Sequence, residues 1–173
     1  MKSRHEARER ALQVLYAVEV GEHTPDEACE DLLDGSDPNY LEFVRNLVHL
    51  AVAKREEMEG LIGKRAQRWD LERIALVDRL VLRLALCELF FVDDVPPKVT
   101  INEAIEIAKE YSTDQSGRFV NGILDAVYND HEAEIRRGKK LTDRQVTGEA
   151  TERRTSRDLK TAPNGRKRKR SKT

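Results

Sequence analysis

The sequence has few aromatic residues, few cysteines and no long hydrophobic run. Aromatic residues make up 5% of the 173 positions and hydrophobic residues 39%, which is enough apolar material for one core. No run of about 18 apolar residues occurs, so we predict no membrane-spanning helix and no membrane partner. The charged N-terminus has no apolar run behind it and does not resemble a secretory signal. We therefore expect a cytoplasmic protein.

The two cysteines, Cys29 and Cys87, lie far apart in helical patterns. Two such residues form neither a disulfide framework nor a thiolate metal site. We interpret both as small buried or half-buried residues of a protein in a reducing compartment.

The sequence signatures of common enzyme classes are also missing. It contains no P-loop, no dinucleotide-binding fingerprint, no nucleophile elbow and no H-E-x-x-H pair. The adjacent carboxylates Asp93 and Asp94 precede two prolines, and we interpret them as a loop cap rather than as metal ligands. We expect no catalytic residues, no cofactor and no metal.

The charges are divided unevenly along the chain, although the net charge is only −1. Residues 1–136 carry 17 basic and 28 acidic groups, whereas residues 137–173 carry 14 basic and 4 acidic groups. The second segment has few large aliphatic residues and ends in five consecutive cations, Arg166–Arg170. Such a segment cannot bury enough apolar surface to offset its ordering entropy. We predict a folded domain over 1–136 and a disordered, Lys/Arg-rich tail over 137–173.

Apolar residues in the first segment recur at helical spacing, and no alternating strand pattern appears. The predicted fold class is therefore all-α. Two capping boxes, Thr24–Glu27 and Thr100–Glu103, and the pair Asp37-Pro38 indicate helix starts. The most apolar helix should be the central one of a bundle. The predicted helices cover Ser3–Val20, Thr24 to about Gly35, Asp37 to about Arg55, Glu56–Arg68, Leu71–Val92, a helix opened by Thr100, and Ser112–Asp130.

A glycine inside the last predicted helix, Gly122, costs roughly 1 kcal/mol relative to alanine. We interpret it as the site of a close helix crossing, where a Cβ atom would collide. On that hypothesis, Gly122→Ala should destabilise the fold.

Basic residues are concentrated at the N-terminus of the otherwise acidic domain. Arg4 and Arg8 are four residues apart and share one helix face, close to a helix N-terminus that itself favours anions. This pattern favours an anionic partner. The alternative is an ordinary charged N-terminus in which Glu6 and Glu9 pair with the cations.

Five segments of the chain carry distinctive motifs. They are Ala7–Tyr16 (A-R-E-R-A-L-Q-V-L-Y), Leu82–Leu89 (L-R-L-A-L-C-E-L), Asp94–Val99 (D-V-P-P-K-V), Ile101–Lys109 (I-N-E-A-I-E-I-A-K) and Phe119–Asp125 (F-V-N-G-I-L-D). Their order and spacing span about Arg4 to Tyr128, which is nearly the whole predicted domain. Together these segments resemble the NusB family of bacterial transcription antitermination factors.

The resemblance implies a compact domain of about seven helices in two small bundles. It also implies a non-catalytic protein that binds the boxA element of ribosomal RNA transcripts together with the ribosomal protein NusE, within the antitermination complex of RNA polymerase. Members of this family occur as monomers and as homodimers, and the sequence does not distinguish these states.

The same resemblance assigns site residues. The implied RNA-binding residues at the N-terminus are Lys2, Arg4, His5, Arg8 and Arg10, although Glu6 interrupts this basic run. Those near the last helix are Gln115, Arg118 and Phe119, and the implied NusE-facing residues are Tyr16, Glu72 and Asp78. Single-stranded RNA is recognised by stacking and phosphate pairing, which Arg118 and Phe119 both offer. On periodicity alone, Phe119 is rather a core residue on the stripe with Ile123, and the carboxylates are solvent-exposed helix charges.

Two other functions stay open at this point. One is a split subunit of a ribosomal RNA cytosine methyltransferase, because NusB-like domains occur fused to such enzymes. The other is a helical adaptor that binds only proteins. For the tail, we predict a non-specific RNA arm whose deletion (137–173) weakens binding of any RNA equally and flattens the salt dependence; the alternative is a solubilising tail.

Overall fold

The computed structural model describes residues 3–33, 35, 37–66 and 71–155. Within these ranges the chain forms seven α-helices and no strand, which confirms the all-α prediction. A short 3₁₀ turn, Leu71–Arg73, precedes the fifth helix. The helices are α1 Arg4–Val20, α2 Pro25–Leu32, α3 Pro38–Ala53, α4 Arg55–Arg65, α5 Leu76–Phe91, α6 Pro97–Tyr111 and α7 Asp114–Thr155.

Capping side chains determine where the first three helices begin. The hydroxyls of Ser3 and Thr24 each accept a hydrogen bond from the backbone N–H three residues on. The glutamate at that position accepts one in turn from the backbone N–H of the cap residue. The carboxylate of Asp37 accepts from the N–H groups of Asn39 and Tyr40, and Pro38 follows at the first helical position. The capping signals at Thr24 and Asp37 are therefore confirmed.

The predicted capping box at Thr100 is wrong. The sixth helix begins before Thr100, at Pro97. Proline is favoured at this first position because its ring fixes a helical φ, and because the N–H that it lacks would have no partner in the first turn. Thr100 consequently lies inside the helix, where its hydroxyl donates to Glu88 over 3.1 Å. The fifth helix also begins later than predicted, at Leu76 instead of Leu71.

The fifth helix is the centre of the molecule, as its apolar character predicts. Eleven of its residues are buried, and α1, α3, α4 and α6 all pack on it. Helices α1, α2 and α3 also pack on one another, which gives two small groups of helices joined through α5. Buried residues of α7, among them Val120, Leu124 and Ile135, belong to the same core. Cys29 and Cys87 are both buried and unpaired by disulfide.

The chain divides into two units, Met1–Lys139 and Lys140–Thr173. The predicted boundary between the folded domain and the tail, after residue 136, stays a prediction. The backbone of α7 is helical as far as Thr155, beyond the predicted end of the last helix at Asp130. The disorder of the tail stays a prediction. The five final cations of the tail lie outside the described residues, and so does Lys2.

The hypothesis of a close crossing at Gly122 is wrong. A Cβ atom built on this glycine meets no other atom within 4 Å, because the residue faces outward from α7. Among the described residues, no helix is both long enough and apolar enough to span a bilayer.

Candidate nucleic-acid interface

The predicted RNA-binding residue Arg8 lies in the interior. It is only 7% exposed. Its Nε donates to both carboxylate oxygens of Glu88, at 3.1 and 2.9 Å, and its Nη2 donates to Oε1 at 2.6 Å. Thr100 donates to the same carboxylate. A guanidinium held in this way joins α1 to α5, and a direct contact of Arg8 with RNA stays a prediction.

Arg4, one helical turn earlier, is half exposed. Its guanidinium pairs with Asp94 in the loop after α5 and lies over the ring of Phe43, 5.0 Å from the ring centre. Exposed pairs of this kind are worth at most about 1 kcal/mol. A phosphate could therefore replace Asp94 at little cost in free energy.

His5 lies between carboxylates of α1 and α6. Its Nδ1 is 2.5 Å from Glu103 and its Nε2 is 3.6 Å from Glu9. The hydrogen bond to Glu103 raises the pKa of the imidazole, and the charges of Glu103, Glu9 and Glu110 raise it further. The cation of His5 is thus neutralised locally by acidic groups.

The exposed surface continues along α1 towards the end of α6. Arg10 donates to Gln13 over 2.8 Å, and the side-chain amide of Gln13 donates to the hydroxyl of Tyr111 over 3.2 Å. The ring of Tyr111 is partly exposed, and partial burial raises the pKa of its hydroxyl. Tyr111 therefore places an aromatic ring between the N-terminal residues and the start of α7.

The second predicted RNA-binding group lies at the first turns of α7. Gln115 and Arg118 are exposed, whereas Phe119 is half-buried and packs against the core. Gln115 and Phe119 line a cavity of about 370 Å³, together with Asp78 and Ser116. Phe119 thus packs against the core with one part of its ring and borders the cavity with another.

The predicted NusE-facing residues differ in accessibility. Tyr16 is 44% exposed on α1, and Glu72 is exposed in the 3₁₀ turn rather than on the central helix. Asp78 is only 7% exposed, and its Oδ2 accepts a hydrogen bond from Ser116 over 2.9 Å. This carboxylate therefore joins α5 to α7 and borders the same cavity as Gln115. That Asp78 contacts NusE stays a prediction.

The two predicted RNA-binding groups are anchored at different points of α5. Asp78, in its first turn, is bonded to α7 beside Gln115, and Glu88, ten residues later, holds α1 through Arg8. Ten residues of α-helix rise by about 15 Å, so the two anchoring points are separated by that distance along the central helix.

The sequence analysis did not assign three residues to this surface: Glu103 and Asp94, which it interpreted as parts of a helix cap and a loop cap, and Tyr111. Their roles depend on contacts with residues about 90 to 102 positions away, which local periodicity does not contain.

Comparison with known proteins decides the family. The sequence pattern of the NusB family matches residues 5–129. The chain belongs to the NusB family. The transcription antitermination protein NusB of Geobacillus kaustophilus is 45% identical over 124 residues, which cover 72% of this chain and 94% of that protein. The protein of the same name from Chloroherpeton thalassium is 44% identical over 131 residues, 74% of this chain and 62% of the longer relative.

Solved NusB structures share the fold. T. maritima NusB is 37% identical with a TM-score of 0.71, over 75% of this chain and 93% of that chain. A chain from the structure of the antitermination factors NusB and NusE in complex with dsRNA is 29% identical with a TM-score of 0.67, over 73% of this chain and 96% of that one. The family match includes every predicted site residue except Lys2 and Arg4, which precede it.

Proposed function

We propose that this NusB-family chain is a non-catalytic transcription antitermination factor that binds the boxA element of ribosomal RNA transcripts together with NusE. The antitermination names of its relatives support the class of function. The NusB–NusE–dsRNA complex among its structural neighbours supports RNA and NusE as partners. We further propose that it works in the cytoplasm as part of the RNA polymerase antitermination complex.

The observation that carries the RNA proposal is the accessible surface along α1 and the start of α7. Arg4, His5 and Arg10 provide cations or donors at one end, and Arg118 and Gln115 provide them at the other. Phe119 and Tyr111 add partly exposed rings on which bases can stack. Lys2 would extend the first group. A single strand following this surface would meet phosphate-binding and stacking groups in alternation.

In this proposal Arg4 exchanges its protein partner for RNA, and Arg118 binds RNA directly. The exposed guanidinium of Arg4 would leave Asp94 for a phosphate, and that of Arg118 would bind phosphate or stack on a base. Arg8 contributes indirectly, because its pair with Glu88 fixes the orientation of α1 and hence of Arg4 and His5.

We propose that NusE binds a different surface, to which Tyr16 and Glu72 belong. Both are exposed, and a carboxylate facing a basic ribosomal protein would steer the encounter and define its register. A homodimer that used the RNA-binding surface would compete with RNA. The apparent RNA affinity of each chain should then fall as the protein concentration rises.

The test is a titration of the full chain with boxA RNA and with a scrambled RNA of equal length, in the presence and absence of NusE. We expect a preference for boxA that becomes stronger with NusE. Arg4→Ala and Arg118→Ala should each weaken boxA binding several-fold. Arg136→Ala is the matched control, because Arg136 is also exposed and pairs with Glu132 at 2.7 Å, away from the proposed surface.

Equal, weak binding of both RNAs regardless of NusE would contradict the proposal and favour the protein-binding adaptor. Equal losses for Arg118→Ala and Arg136→Ala would contradict the proposed position of the surface.

The basic segment 137–173 is proposed as a non-specific RNA arm. Its removal from residue 140, where the second unit begins, keeps the buried Ile135 in place. We expect similar losses of affinity for boxA and scrambled RNA. The salt slope should fall by roughly 0.7 for each phosphate that the segment neutralises in the full chain. Loss of the boxA preference alone would identify the segment as a sequence-reading element.

A further inference from the structure

Four side chains from α1 and α6 form a cluster, and the RNA-binding proposal uses only one of them, His5. His5 and Glu9 lie one turn apart on α1, and Glu103 and Glu110 lie two turns apart on α6. One nitrogen or oxygen atom from each of His5, Glu9 and Glu110 lies within 4.8 Å of the other two. Three carboxylates therefore surround a single imidazole.

The imidazole of His5 is oriented by its contact with Glu103. The distance from Nδ1 to the Glu103 carboxylate is 2.5 Å, so Nδ1–H donates there when the ring is neutral. The lone pair of Nε2 then faces Glu9, whose Oε1 is 3.6 Å away. A histidine that binds a metal through one nitrogen nearly always donates its other N–H to a carboxylate or carbonyl in this way.

The spacing of the ligand atoms also fits a small divalent ion. Zinc–nitrogen and zinc–oxygen bonds of about 2.0–2.2 Å in a tetrahedral arrangement place two ligand atoms roughly 3.4 Å apart. The distance of 3.6 Å between His5 Nε2 and Glu9 Oε1 is close to this value. Glu110 lies within the wider limit of 4.8 Å, and a rotation of its exposed side chain would bring its carboxylate to bonding distance of the ion.

The surrounding contacts hold the cluster in place from both helices. The Tyr111 hydroxyl is 3.4 Å from Glu9, and Nη1 of the buried Arg8 is 3.9 Å from Glu103. The His5 side chain is 37% exposed, so water can complete the coordination. A mixed set of one imidazole and two carboxylates suits zinc and its neighbours in the transition series better than magnesium, which prefers oxygen ligands.

We propose that His5, Glu9 and Glu110 form a binding site for a divalent transition-metal ion such as Zn²⁺, with Glu103 orienting His5 from outside the ligand set. The competing occupant is a proton, because an imidazolium would satisfy the same carboxylates. Metal binding must therefore displace that proton.

The test is isothermal titration of the full chain with ZnCl₂ in a buffer that does not bind zinc, and the absorption spectrum of the Co²⁺ form reports the ligands. We expect one ion per chain. His5→Gln and Glu110→Gln should abolish binding, and Glu103→Gln should weaken it by about 10- to 100-fold, as for other groups that orient a ligand.

His49→Gln is the matched control. His49 is also a partly exposed histidine, with one carboxylate, Asp26, at 2.9 Å, and its replacement should leave zinc binding unchanged. Circular dichroism of each variant checks that the helices are intact. The proposal is overturned if the full chain binds no zinc, or if folded His5→Gln and Glu110→Gln variants bind it as tightly as the parent.

Discussion

The interior around α5 and the outer surface of α1 contain the same kinds of charged group, but these groups are held very differently. Arg8 and Glu88 are both buried, and three donor–acceptor contacts join them. Arg4 and Asp94 are more than half accessible on average and share one ion pair. Arg4 and Arg8 are only one turn apart in the sequence. The difference shows that burial, and not residue type, decides whether an arginine of this helix stabilises the fold or is available to a partner.

The sharpest test of this comparison removes the buried cation. Arg8→Met retains most of the aliphatic volume but leaves the carboxylate of Glu88 buried with only the hydroxyl of Thr100. Breaking a buried pair in this way costs about 3–5 kcal/mol. We expect that loss in the free energy of unfolding, measured by urea denaturation. Arg10→Met, on the exposed side of the same helix, should change it by less than about 0.5 kcal/mol.

The double variant Arg8→Met/Glu88→Leu shows whether the loss comes from the uncompensated charge. Replacing both members of a buried pair by apolar residues is often neutral. Most of the stability should therefore return. A double variant as unstable as Arg8→Met would mean that packing, and not charge, explains the cost.

A second buried arginine, Arg83, should show an intermediate effect. It is fully buried and pairs with Glu19 and Glu59, while its Nε has no hydrogen-bond partner among the described residues. Both glutamates are partly exposed, and each also lies 3.4 Å from Arg55. Arg83→Met therefore leaves no isolated buried charge, and we expect a loss of about 1–3 kcal/mol.

The same urea measurement checks this prediction, with Arg55→Met as its control at the exposed member of the network. A loss as large as that of Arg8→Met would show that Arg55 does not compensate. The ranking of the two buried arginines would then be wrong.

The sequence predicted the helices and the core well because both depend on local spacing. Ala11 and Leu15 recur at helical intervals and are buried, and Thr24 begins a helix through its own side chain. The environment of Arg8 was not predictable in this way. Its partner is 80 residues away, and periodicity places Arg4 and Arg8 on one face without saying which of them α5 covers.

A substitution on the outer surface of α7 should have a smaller effect on the free energy of unfolding. It should raise this free energy, whereas a close helix crossing would lower it. A Cβ atom at Gly122 meets nothing, so Gly122→Ala adds no clash and reduces the conformational freedom of the unfolded chain. We expect an increase of about 0.5–1 kcal/mol in the free energy of unfolding. Gly117→Ala contrasts with Gly122→Ala because a Cβ atom at Gly117 would collide with the Lys109 side chain, at 2.8 Å. A lower melting temperature for Gly122→Ala would restore the idea of a close crossing.

The smallest expected change in stability is at Arg4. Its ion pair with Asp94 is exposed, so Arg4→Ala should change the free energy of unfolding by no more than about 0.5 kcal/mol. Its effect should appear in RNA binding instead. If Arg4 contacts one phosphate, the logarithmic salt slope of single-stranded RNA binding should fall by roughly 0.7. Measured on each variant, stability and RNA binding separate the roles of the helix: Arg8→Met should lower stability severely, and Arg4→Ala should change only RNA binding, in its affinity and its salt slope. A large loss of stability at Arg4 would mean that its contacts with Phe43 and Asp94 belong to the fold, and the distinction between the interior and the outer surface of α1 would fail.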